Sequence, residues 1–383
     1  MIPFEVPRSD LVTSLATKAQ GRVVLLAGPP GVGKSWLLRA LVERLSTEGA
    51  LPILIDLFGA ASSPDRFVTA VLAALPAGPL ASSLPMATRL RVLAEGGRSR
   101  GAEAIRALFE FLASLDEAGG RRIVLLLDEA TEIRSLAYFK GLRDVHEPFR
   151  EMLEKRRAGT ILVTSFPTLA RKLWPSLPPR FLPLLTPDEL SAALPPSVRG
   201  QADPFRHLTA GFPRYAQILF SSVAAGEPGE LAFATAMRPG GPLELACRQT
   251  FETLLLRSRG YGMAKAVLAT VAREEGLNLT PLVARLGRTP GATRDYLQWL
   301  VDVDALRREG KRYFFVDPVL RAWVRLYAAG TLPTAASVRA MAAELVAPPR
   351  PLATAPAAAP DPPAEETLSP RPLPRGDSLM EID

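Results

Sequence analysis

One octapeptide constrains this chain more than any other stretch. GPPGVGKS, residues 28–35, fits the pattern G-x-x-x-x-G-K-[ST]. It follows a short apolar run, RVVLLAG (22–28), and precedes a helical pattern from Ser35 to Leu45. Strand, glycine-rich turn and helix are the context in which such a loop cradles phosphate. Glycines let the backbone curl so that its N–H groups face phosphate oxygens. The N-terminus of the following helix adds the positive end of its dipole. Gly28, Pro29, Pro30, Gly31, Val32, Gly33, Lys34, Ser35 and Trp36 are therefore the candidate phosphate-binding set. Lys34 is expected at the β- and γ-phosphates, and the Ser35 hydroxyl on Mg²⁺.

Such a loop needs a sheet behind it. LPILIDL (51–57), RIVLLLD (122–128), GTILVTS (159–165) and RFLPLL (180–185) are further apolar runs, separated by helical patterns such as Ala104 to Leu115. Continuous apolar strands are typical of a parallel sheet covered on both faces. The fold class is thus α/β, a P-loop NTPase parallel sheet over residues 1–186, with a loop-rich stretch at 76–103. IVLLLDE (123–129) delivers Asp128 to a strand's carboxyl end, where open α/β sheets bind ligands. Asp128 is expected to hold Mg²⁺ through water, and Glu129 to orient or deprotonate an attacking water. Thr164 ends another strand. Its hydroxyl either reaches the γ-phosphate or the water, or is satisfied by a neighbouring backbone group.

Composition narrows the remaining classes. No run of about 18 apolar residues occurs, so no membrane span or membrane partner is expected. The start, MIPFEVPRSD, lacks the pattern of a secretory signal. Cys247 is the only cysteine and His146 and His207 the only histidines, too few for an internal disulfide or an ordinary zinc site. The expected location is cytoplasmic. The net charge is +7; the segment from Ala347 onward has three arginines against six acidic side chains, a net of −3, which leaves +10 on the rest.

After Thr186 the pattern becomes helical. TPDELSAAL has a good helix start, and a second helix is expected from about Pro213 to Ala224, so 187–258 reads as a helical lid. In 259–330, GMAKAVLATVA places Met263, Val267, Leu268 and Val271 on one helical face. LTPLVARLG offers Thr280 as cap and Gly287 as stop, and TPGATRDYLQWL offers Thr289 as cap and buries Tyr296, Leu297 and Leu300. ALRREGKRYFFV reads as a hairpin turning at Gly310, and Asp317 caps a closing helix. This order is a winged helix-turn-helix. Its second helix presents Arg294 and Gln298 beside Asp295; its wing presents Arg307, Arg308, Lys311 and Arg312, a phosphate-contacting set rather than a base-reading one. A helical extension (331–346) precedes a Pro/Ala-rich tail (347–383), expected to be disordered and ending in the apolar-acidic peptide DSLMEID.

These motifs resemble the AAA+ and STAND branches of the P-loop ATPases, and within them archaeal-type ATPases with a C-terminal winged helix. The resemblance covers most of residues 1–330. GPPGVGKS looks like the family's Walker A motif, LLLDE like Walker B, and ILVTS like the sensor 1 strand. PRSDLVTSL (7–15) resembles an N-terminal segment that lies against the adenine, which would place Arg8 there. GFPRYAQ (211–217) fits two family patterns. In one, a Gly-x-Pro starts a lid helix and its proline, here Pro213, approaches the nucleotide. In the other, a Gly-x-x-Arg supplies an arginine, here Arg214, that senses the γ-phosphate. Arg180 stands where AAA+ proteins often carry a trans-acting arginine finger; the plainer alternative is a strand-edge arginine.

Together these features imply ATP (or ADP) and Mg²⁺ as ligands and a slow ATP hydrolase acting as a nucleotide-controlled regulatory switch or assembly factor. A protein partner or self-association would be its output. The competing reading is an ATP-controlled DNA-binding protein of initiator or transposition-helper type, with DNA on the winged helix.

Overall fold

The computed structural model describes residues 4–6, 8–76, 84–95, 100–118, 120–256, 258, 260–328 and 330–347. The terminal peptide DSLMEID and the Pro/Ala-rich segment after Ala347 lie outside the described residues, as does Pro7 of the N-terminal segment.

The first half alternates helices and strands: α1 (Ser9–Lys18), β1 (Val23–Ala27), α2 (Lys34–Thr47), β2 (Leu51–Asp56), α3 (Pro64–Ala74), α4 (Leu84–Glu95), α5 (Gly101–Ser114), β3 (Glu117–Ala118), β4 (Arg121–Asp128), α6 (His146–Lys155), β5 (Thr160–Thr164), α7 (Pro167–Leu173) and β6 (Arg180–Phe181). The main path of the sheet runs β2-β4-β5-β1-β6, all parallel, and β3 adds an antiparallel edge to β4. Strand alternation explains the unbroken apolar runs. Ile123, Leu125 and Leu127 of β4 pack with α3, α5 and α6 on one face, whereas Val124 and Leu126 pack with α1 and α2 on the other. The run at 180–185 yields a strand of only two residues. Leu182 still donates to Ala27 O at 2.9 Å, but Pro183 has no N–H to extend the ladder.

The second half is helical: α8 (Pro187–Ala193), α9 (Ala202–Thr209), α10 (Pro213–Ala224), α11 (Gly229–Met237), α12 (Pro242–Leu256), α13 (Tyr261–Arg273), α14 (Leu279–Leu286) and α15 (Pro290–Asp302). The hairpin β7 (Leu306–Glu309) and β8 (Arg312–Phe315) follows, then α16 (Pro318–Tyr327) and α17 (Ala335–Val346). Residues 261–327 thus run helix, helix, helix, hairpin, helix. Thr289 and Asp317 cap α15 and α16 as expected from the sequence, and Gly310 turns the hairpin at φ +58°. Thr280 does not cap α14. The helix starts two residues earlier, at Leu279 behind Asn278, so Thr280 lies within its first turn. One continuous apolar core joins α8–α17, so the helical half packs as a unit.

Polar links among the described residues tie that unit to the first half of the chain. Arg214 N, in the first turn of α10, donates to Gly31 O at 3.1 Å. Arg8 forks onto Glu189 at 2.9 and 3.1 Å and donates to Pro183 O. Asp304 and Asp302 meet Thr168 and Lys172 of α7.

Candidate functional site

The phosphate loop spans the turn between β1 and α2. The N-cap of α2 is Gly33, at φ +95° and without a side chain, so the first-turn amides of the helix face outward uncapped. Gly31 sits at φ +86°, and a Cβ there would lie 3.2 Å from Arg214 Cβ. The loop is therefore shaped by two demands: left-handed backbone, and close approach of α10.

Lys34 is buried, and its ammonium folds back onto the loop, donating to Gly28 O at 2.9 Å and Pro29 O at 3.0 Å. Burial pushes this lysine below its ordinary range, against the opposing pull of Glu129 and Asp128. Ser35 Oγ donates to Asp128 Oδ2 at 3.4 Å. Burial pushes the Asp128 carboxyl up, and Glu129 and Asp56 add to the rise. Asp56 arrives because β2 and β4 pair in register, Asp56 opposite Asp128. A hydroxyl beside a carboxylate crowded by negative neighbours suits a hard cation that takes its other ligands from water and phosphate, as Mg²⁺ does. Among the described residues no group of three or more His, Cys, Asp or Glu side chains forms a protein-only metal cage.

Glu129 follows directly, with a left-handed backbone (φ 49°, ψ 47°). Both carboxylate oxygens are taken by one residue. Ser165 N donates to Oε2 at 2.9 Å and Ser165 Oγ to Oε1. Thr164 is fully buried, and its hydroxyl meets Thr131 Oγ1 at 3.0 Å and accepts from Phe166 N at 2.9 Å. Of the two alternatives for Thr164, the geometry is that of the satisfied hydroxyl; the residue after it reaches the site instead. Ser165 closes the run GTILVTS, one position after the residue that the sequence singled out.

A cavity of about 840 Å³ opens over the loop. Pro30, Gly31, Val32, Gly33, Lys34, Ser35 and Trp36 line it from the loop and α2, Glu129 and Ser165 from the ends of β4 and β5, and Pro213, Arg214 and Gln217 from α10. Phe4, Val6, Leu11, Leu182 and Leu185 form an apolar end, with Arg8 beside them. Phe4 is held there by Phe220 of α10, ring centroids 5.0 Å apart. Gln217 and these apolar walls escaped the sequence reading, because nothing local marks a residue brought in by packing.

Of GFPRYAQ, Pro213 packs against the loop, its Cγ 3.7 Å from where a Gly33 Cβ would stand. The Arg214 guanidinium donates to Thr250 Oγ1 at 3.3 Å and Gln249 Oε1 at 2.9 Å, both neutral acceptors. Arg8 lines the cavity, but its guanidinium is engaged by Glu189 and Pro183 O. Arg180 is exposed on the edge strand β6 and does not line this cavity, which is the geometry of the strand-edge alternative.

Residues 17–172 match the AAA domain family. No curated protein matches the chain. Among solved structures, the Walker-type ATPase PABY2304 of Pyrococcus abyssi superposes with a TM-score of 0.58 at 15% identity, covering 84% of this chain and 96% of that one. Weaker similarity extends to the replication initiator DnaA of Aquifex aeolicus bound to AMPPCP (TM-score 0.32, 12% identity, 77% and 86% coverage). It extends likewise to the Hsp104–ADP complex of S. cerevisiae (TM-score 0.34, 14% identity, 90% and 48% coverage). No described helix is long and apolar enough to cross a membrane. With its glycine-rich loop on a parallel sheet, the chain has a P-loop NTPase fold, and its residues 17–172 are similar to the AAA domain family.

Proposed function

We propose that the protein binds ATP with Mg²⁺ and hydrolyses it slowly, as a switch whose lid and C-terminal unit respond to the nucleotide. The observation that carries this reading is the convergence of Lys34, Ser35, Glu129, Pro213 and Arg214 on one cavity. Lys34 would exchange two loop carbonyls for phosphate oxygens, a stronger, charge-assisted partner. Ser35 and Asp128 would hold Mg²⁺, which supplies charge neutralisation between the phosphates. Glu129 would accept the proton of the attacking water or orient it. Arg214 has only neutral acceptors to give up, so a γ-phosphate would draw it across the cavity and pull α10 with it. The 187–258 segment then acts as a lid, and 259–330 as a winged helix that docks a partner or a second copy.

The test is binding and turnover of ATP by the wild type, Lys34→Ala and Glu129→Gln. Lys34→Ala should lose tight nucleotide binding, while Glu129→Gln should bind and not turn over. Equal loss of binding in both would remove the role given to Glu129.

A second reading, ATP-controlled DNA binding, is favoured by the hairpin β7–β8, where Arg307, Arg308 and Lys311 are exposed and Arg312 half-exposed. Glu309 pairs with Arg307 and lowers the local charge. Replacing all four cations with alanine should flatten the salt dependence of DNA binding. No DNA binding by the wild type at about 50 mM salt would exclude this reading.

A further inference from the structure

The C-terminal unit grips the ATPase core at one short helix. α7 begins two residues after Ser165, and its N-cap, Phe166, has no side-chain acceptor for the first-turn amides. The acceptor comes from far along the chain. Asp304 takes the Thr168 amide at 3.0 Å and the Thr168 hydroxyl at 2.7 Å. Near the other end of α7, Lys172 pairs with Asp302 at 2.6 Å.

Asp304 occupies an unusual place. It follows α15 at φ +52°, where the chain reverses and Ala305 N returns to Leu300 O at 3.0 Å. Glycine is the usual residue in such a helix-ending position, because a side chain strains the backbone. An aspartate there spends that strain on a carboxylate aimed at α7.

The other end of the same segment holds the hydrolytic carboxylate. Ser165 supplies both hydrogen bonds to Glu129, and the turn from Thr164 to Phe166 is fixed by Thr164 Oγ1, which accepts from Phe166 N and meets Thr131. Glu129 is itself left-handed. Among the described residues three non-glycine positions have positive φ, Glu129, Ala210 and Asp304, and two of them terminate this path. Strained positions concentrate where structure has been bent to a task.

We propose that the C-terminal unit positions the carboxylate of Glu129 through α7, with Asp304 and Ser165 as positioning residues at the two ends of one stiff segment. This rests on the reading that Glu129 serves the attacking water. Its consequence is regulatory: a load on the C-terminal unit that loosens Asp304 from Thr168 changes the rate of hydrolysis and leaves nucleotide affinity alone.

The experiment uses the full chain as wild type, Ser165→Ala, Asp304→Ala, Asp304→Asn and the double variant Ser165→Ala/Asp304→Ala. Steady-state ATP turnover gives kcat and KM, and a non-hydrolysable ATP analogue gives Kd. Ser165→Ala and Asp304→Ala should each lower kcat by about tenfold, through lost orientation, with Kd unchanged. Asp304→Asn keeps both hydrogen bonds to Thr168 and should keep the wild-type kcat. The double variant should lose no more than either single one, because both act through Glu129. Multiplying losses, or an unchanged kcat in Asp304→Ala, overturn the proposal. Amide hydrogen exchange without nucleotide provides a readout independent of turnover: Asp304→Ala should speed exchange at Ser165, Phe166 and Thr168, and unchanged protection there also overturns it. A wild type that binds ATP without hydrolysing it refutes the hydrolytic reading instead, and the exchange result then decides whether Asp304 controls this segment.

Discussion

Replacing Asp304 by asparagine should make the protein more stable at neutral pH and less so, by comparison, in acid. Burial raises the Asp304 carboxyl from 3.8 to about 6, despite the two hydrogen bonds from Thr168 and the pull of Arg171. The folded chain therefore holds this proton up to about pH 6, whereas the unfolded chain releases it near 3.8. Between those values the folded state binds more protons, so stability falls as pH rises through the window. A shift of about two pKa units amounts to about 3 kcal/mol lost at pH 7 relative to strong acid. Asparagine carries no charge to desolvate. Its oxygen can accept from Thr168 N and its amide can donate to Thr168 Oγ1, so both contacts survive. It also tolerates the left-handed backbone at φ +52° better than most residues. Asp304→Asn is thus expected to gain about 1–3 kcal/mol at pH 7, with the lost attraction of Arg171 setting the lower end. Urea unfolding of both proteins at about pH 4, 5, 6 and 7 measures it. The difference should shrink steadily as the pH falls from 7 to about 4, where Asp304 is protonated in the folded chain and about half protonated in the unfolded one. A difference independent of pH, or a variant less stable than wild type at pH 7, would refute the assignment of a buried, reluctantly charged carboxylate at this contact.

Arg214→Ala should weaken ATP binding more than ADP binding, by about ten- to a hundredfold in the ratio, since a charge-assisted contact is worth about 1.5–3 kcal/mol; calorimetric titration with both nucleotides reads it, and equal losses would assign the arginine to lid packing alone. Gly211→Ala should destabilise the α9–α10 turn by about 1–3 kcal/mol, because the backbone is at φ +72° and a Cβ would fall 2.5 Å from Arg206 Nε and 2.7 Å from Leu185 O; an unchanged urea midpoint would show that the turn opens freely. Arg8→Ala should release the N-terminal segment from Glu189, seen as faster amide exchange at residues 11–15 of α1 and near Thr186, while exchange in β4 stays unchanged.

What the sequence made legible, and what it hid, divides along the range of the interactions. The loop, its strand and its helix are local: glycine spacing, an apolar run and a lysine-serine pair declare themselves within some fifteen residues. Asp128 and Glu129 were legible for the same reason, since a strand's end is marked by where its apolar run stops. The start of α10 at Pro213 follows from proline's fixed φ. By contrast, Thr164 and Ser165 are adjacent and chemically alike, and only the twist of β5 and the turn after it decide which hydroxyl faces Glu129. Arg8 illustrates the converse: its type and place suggested the nucleotide, yet Glu189, 181 positions away, claims its guanidinium. Asp304 lies furthest from any local signal. In sequence it is one more acid in VDVDAL after an amphipathic helix. Its meaning comes from α7, whose N-cap phenylalanine leaves an amide for some other chain segment to satisfy. On the coupling proposed above, the geometry around Glu129 depends on the C-terminal unit through α7 and Ser165. That dependence would run both ways, since a shift of Ser165 and α7 on nucleotide binding would be felt at Asp304 with the same coupling free energy.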